Sequence, residues 1–94
     1  MEPEFEGKRL VATRSAYREL EDLGLSLYDA AQVLDCGWNC STSRRAEGKV
    51  ERCLSWGEKV LRAVAAEGWY FPPLGEREEV WWLIHVSIES PKRR

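Results

Sequence analysis

The sequence is poor in several residue types on which common chemistries depend. Its 94 residues include one histidine, one methionine and two phenylalanines. No run of about 18 apolar residues exists, so no helix can be expected to cross a bilayer. The first residues, Met-Glu-Pro-Glu-Phe-Glu, are acidic where a secretory signal would be basic and then apolar. There is no Walker loop, dinucleotide glycine motif, HExxH or nucleophile elbow, which argues against nucleotide-dependent and common hydrolase chemistry. Three cysteines, Cys36, Cys40 and Cys53, are an odd number. With no export signal they read as free cytosolic thiols and the protein as cytoplasmic, with no membrane partner.

What is present fits one globular domain. Hydrophobic residues make up 44% of the chain and charged residues 32%, far from the composition of disorder. A chain this short supports one core. The expected domain is therefore 1–94, ordered over about 10–89, with tails at 1–8 and 90–94. The formal charge of −2 conceals an asymmetry. Residues 1–35 carry net −4, residues 36–65 net +3 and residues 66–94 net −1. The basic middle holds Arg44, Arg45, Lys49, Arg52, Lys59 and Arg62, either a solvated face or a surface for phosphates.

Periodicity predicts the elements. Ala16, Tyr17, Leu20 and Leu23 recur at helical spacing over 14–23, and Gly24 stands where a left-handed cap is wanted. Ser26 and Asp29 resemble a capping box that opens a second helix, which ends near Cys36 and Gly37. Leu10–Thr13 reads as a short strand or a lead into the first helix. Residues 38–48 read as a loop. Lys49–Trp56 alternates, Gly57-Glu58 turns the chain, 59–66 returns, and a loop with Pro72-Pro73 precedes the most regular strand, 79–89. The expected fold is thus α+β, a helical hairpin packed on one face of an antiparallel sheet of three strands, or four if Leu10–Thr13 joins. Alternation places Val80, Trp82, Ile84, Val86 and Ile88 toward the core. It leaves Trp81 on the open face beside His85, where it can serve as a subunit interface.

Candidate chemistry is sparse. His85 and Glu51 are the candidate proton-transfer pair of a metal-free RNA cleavage, with Arg44, Arg45 and Lys49 to hold phosphate. The alternative for His85 is a packed, satisfied imidazole. Cys36-x3-Cys40 with Cys53 and His85 has zinc-ligand types at a spacing unlike familiar zinc sites, so no metal or other cofactor is expected.

The stretch Thr13-Arg14-Ser15-Ala16, then Gly24-Leu25-Ser26, Asp29 and Val33-Leu34 resembles a widespread domain family of unknown function. That family reads T-x-H-A-x-x-R-x-x-x-R-G-I-S-x-x-D-V. The likeness continues through Arg44-Arg45, Gly48, Lys49–Trp56 and Val80–Val86. The family looks related to RelE-like and BrnT-like toxins, which implies a RelE-like fold, a ribonuclease or RNA-binding activity, RNA as ligand and an antitoxin-like protein as partner. The family histidine falls on Ser15, and its two arginines fall on Glu19 and Leu23. A catalytically silent protein-interaction domain that forms a homodimer through its Trp-rich sheet is the rival expectation.

Overall fold

The computed structural model describes residues 3–40 and 48–89. Its elements, in chain order, are β1 (Glu4–Phe5), β2 (Lys8–Ala12), α1 (Arg14–Leu23), α2 (Leu27–Cys36), β3 (Trp38–Asn39), β4 (Lys49–Trp56), β5 (Lys59–Tyr70) and β6 (Glu78–Glu89).

Both helices start and stop for local reasons. Thr13 caps α1 by accepting the Ala16 amide on its hydroxyl, and Gly24 closes it at φ 71°, in the left-handed region glycine enters without strain. Ser26 and Asp29 form a reciprocal capping box at the head of α2. At its far end Gly37 lies flush on β4, where a Cβ would collide with the carbonyl oxygens of Cys53 and Val33.

The sheet departs from expectation. It has six strands among the described residues, in the order β1-β2-β6-β5-β4-β3. It is mixed, because β2 runs parallel to β6, with Leu10 beside Trp81 and Ala12 beside Leu83. The helices do not form a hairpin laid on a flat antiparallel sheet. Each packs chiefly on strands, α1 on β6 and α2 on β4 and β5 with further contact to β1 and β2. The sheet curls around α2 so far that Arg52 of β4 stands 5.8 Å from the Phe5 ring of β1. The three-stranded or four-stranded RelE-like arrangement is therefore corrected to a six-stranded curled mixed sheet. The expectation failed because β1 and β3 are two residues each, too short for any period, and because β5 runs on to Tyr70 rather than stopping at residue 66.

The core lies between the helices and the concave face of the sheet. Leu10, Leu34, Leu61 and Leu83 are fully buried there, with Phe5, Leu20, Val33, Ala63, Ala65, Trp81 and Val86 around them. Each such leucine contributes about 1.5–3 kcal/mol relative to exposure.

The two tryptophans of β6 are reversed from the expected faces. Trp81 is 4% exposed and meets Phe5 edge-on at 5.1 Å, so it is a core residue and not an open-face interface. Trp82 lies on the outer face, where it covers Gly68 and donates from Nε1 to the Trp69 carbonyl. The cause is a register shift: Ala65 pairs with Leu83 but Val64 pairs with His85, leaving Ile84 as an extra residue. This bulge switches the parity of the strand. Val86 and Ile88 face the core as alternation predicts and Val80 is fully buried, whereas Trp81 and Leu83 join the core cluster and Trp82 does not.

The cysteines also differ from expectation. Cys40 and Cys53 are joined in a disulfide, with Cα atoms 5.8 Å apart, and Cys36 is the free, exposed thiol. Cys40 follows directly on β3, and the pairing of β3 with β4 brings it diagonally within bonding distance of Cys53 without help from any sequence motif.

Candidate functional site

The described residues bring the candidate pair His85 and Glu51 into one cross-strand row without joining them. Glu51 pairs with Val64 and Val64 with His85, so two inter-strand spacings, about 10 Å, separate their backbones. Each of the two side chains is engaged elsewhere. Glu51 forms an ion pair with Arg62, which also reaches Glu89 at 3.3 Å. The Nδ1 of His85 stands 3.0 Å from Oε2 of Glu19 on α1.

Glu19 has a second task. Strand β2 stops pairing with β6 at Leu83, which leaves the outer edge of β6 open beyond that point. The Thr13 amide donates to the Leu83 carbonyl, and the Val86 amide donates to Oε1 of Glu19 at 2.9 Å. One carboxylate thus caps a sheet edge and orients an imidazole, leaving Nε2 as the ring nitrogen that can face a ligand.

The N-terminal end of α1 carries an open concavity of about 540 Å³ lined by Thr13, Arg14, Ser15 and Arg18. Arg14 and Arg18 are exposed and, among the described residues, neither is paired with a carboxylate. They stand one helical turn apart, so their guanidinium groups share a side of the helix. The first-turn amides of Arg14 and Ser15 have no acceptor within the helix, and they add partial positive charge at this end. Ser15 and Glu19 are also one turn apart, which places the His85–Glu19 pair next along the helix from the concavity.

Of the basic middle segment, Arg44 and Arg45 lie outside the described residues. Arg52 is committed, donating to the Leu34 carbonyl at 2.7 Å and to Asn39 at 3.0 Å, and Arg62 is held by its two glutamates. Lys49 is exposed at the start of β4, paired in register with Ala66. Sequence reasoning singled out His85 but missed Glu19, Arg14 and Arg18. The available signal was Thr13 three residues before Ala16, a helix cap that puts Arg14 and Arg18 on the first turns of α1.

A second feature is apolar. Trp69, Phe71 and Leu74, at the end of β5 and in the turn after it, are 43%, 70% and 90% exposed, and Arg77 lies over the Trp69 ring at 4.5 Å. Among the described residues no group of three or more metal-ligating side chains occurs, and no helix is long and apolar enough to cross a membrane. No family model, curated protein or solved structure matches the chain.

Proposed function

We propose that this domain binds RNA, with the α1 concavity as a phosphate-contacting site. The observation that carries the proposal is the pairing of two uncompensated guanidinium groups, Arg14 and Arg18, with a carboxylate-oriented His85 beside one open concavity. Arginine forks suit phosphate oxygens, and the amide-bearing head of α1 adds to the attraction. Arg44, Arg45 and Lys49 supply further contacts in this reading, and the protein works in the cytoplasm, where RNA is at hand. The activity proposed is binding; cleavage by a His85–Glu51 pair does not follow, because each of these residues is held by a different partner.

Replacing Arg14 and Arg18 together by glutamate tests the site. Affinity for single-stranded RNA should fall, and the slope of log affinity against log salt should flatten by about 0.7 for each phosphate left unneutralised. Unchanged binding, or none at low salt, overturns the proposal.

A second reading rests on the exposed aromatic end of the β5–β6 hairpin, which suits self-association of a protein-interaction domain. It predicts that Phe71→Ser with Leu74→Ser abolishes a dimer seen by light scattering, and that this dimer is insensitive to salt.

A further inference from the structure

We infer that the indole of Trp82 is a stacking platform for an unpaired base, so that the outer face of the sheet takes single-stranded RNA between Lys49 and the α1 concavity. This rests on the RNA reading of that concavity and adds to it the part of the ligand that is not phosphate.

Gly68 makes the platform possible. The Trp82 side chain reaches from β6 across β5, where its Nε1 donates to the Trp69 carbonyl at 3.3 Å. A Cβ on Gly68 would stand 2.7 Å from Cδ1 and 3.0 Å from Nε1 of this ring, so the indole occupies space that a larger residue would fill. The ring is thus held by a hydrogen bond and by the bare strand beneath it. One of its faces is turned to β5, and the exposure that this half-buried residue keeps belongs to the other. Tyr70 flanks it with ring centroids 6.2 Å apart, and Arg9 lies over the Tyr70 ring at 5.1 Å. An aromatic ring already fixed in place loses little freedom on binding and stacks any base.

Register places the ring between cations. Lys49, Ala66, Trp82 and Val11 form one cross-strand row through β4, β5, β6 and β2. Lys49 is exposed at one end, two inter-strand spacings or about 10 Å from Trp82, and among the described residues it is in no ion pair. At the other end Val11 lies two residues before Thr13, whose amide holds the Leu83 carbonyl and which lines the concavity with Arg14 and Arg18. The Trp82 backbone is therefore about 8 Å from that of Thr13, a span that one or two nucleotides cover. His85 shares the outer face with Trp82, because their partners Val64 and Ala66 are two residues apart on β5. An aromatic ring with cations to either side suits a single strand, whose phosphates meet the charges while a base lies on the ring. A duplex keeps its bases stacked on one another and offers the indole no face.

The test compares the affinity of the intact protein for a short oligouridine and for an abasic ribose-phosphate oligomer of equal length, which keeps the charges and lacks the bases. Wild type should bind the abasic oligomer about tenfold more weakly. Trp82→Leu, which keeps apolar bulk over Gly68 and removes the aromatic face, should weaken oligouridine binding about tenfold and bind the two oligomers alike. Its slope of log affinity against log salt should match wild type, since no phosphate contact is lost. Trp82→Tyr should restore most of the affinity. The abasic comparison uses unaltered protein, so it decides the matter even if the leucine variant folds poorly. Equal binding of the two oligomers by wild type, or a Trp82→Leu variant that is folded and binds oligouridine as wild type does, overturns the stacking platform. In either case the α1 site stands if Arg14→Glu with Arg18→Glu still weakens binding and flattens the salt slope. No binding of either oligomer by wild type at low salt overturns both.

Discussion

Trp81 carries an unusual burden for a core residue. Its ring is packed against Phe5, yet its Nε1 is buried without a hydrogen-bond partner among the described residues. An unsatisfied donor of this kind costs about 1–3 kcal/mol, set against the large apolar area the ring contributes. Trp81→Ala should therefore destabilise the domain by about 3–5 kcal/mol, enough to unfold much of it. Trp81→Phe, which keeps a ring and deletes the orphaned donor, should cost much less in thermal melts. Trp82→Ala, made on the half-buried outer face, should cost about 1–2 kcal/mol. An equal loss for both alanine variants would mean that the outer face is also covered. The sequence hid this ranking because Val80 through Ile84 is apolar at every position. Nothing in such a run marks the bulge at Ile84 or tells which parity meets the core. The candidate site was hidden in the same way: His85 was conspicuous as the one histidine, but its partner Glu19 lies 66 residues away along the chain.

Among the elements, the helices were legible and the strand partners were not. Caps are written within three or four residues, at Thr13, Gly24 and Ser26, so α1 and α2 could be bounded from the chain itself. Strand β2 gains its place only by lying parallel to β6, a partner with no local signature. Arg9 of β2 joins the two through Glu78 of β6 at 2.9 Å. Its hydrogen bond with Arg9 holds the Glu78 carboxyl below the ordinary value of 4.5. A folded-state value lower than the unfolded one means a contribution fully present above the ordinary carboxylate range and lost as pH falls through the depressed value. The pair is exposed, so the effect is small. Wild type should exceed Glu78→Gln slightly in urea midpoint near neutrality, and the two should coincide once the pH lies well below that range. A difference that persists in acid would assign the effect to packing instead.

For the molecule as a whole, the mixed sheet fixes the order in which it can be assembled. Strands β4, β5 and β6 are joined by short connections, so their pairing closes small loops. Strand β2 must instead find β6 across nearly the whole chain, and α1, which packs chiefly on β6, has no finished surface to cover until β6 exists. During synthesis the β1–β2 pair, made first, is therefore the last part of the sheet to dock, and it waits for the last strand. Leu61→Ala in β5 should slow folding, with a φ-value of about 0.5 or more. Leu10→Ala in β2 should act mainly by speeding unfolding, with φ below about 0.3. Stopped-flow chevrons on the two variants measure this directly. The reverse assignment would mean that the parallel pairing is itself the nucleus, and that the domain begins to fold from its most distant contact.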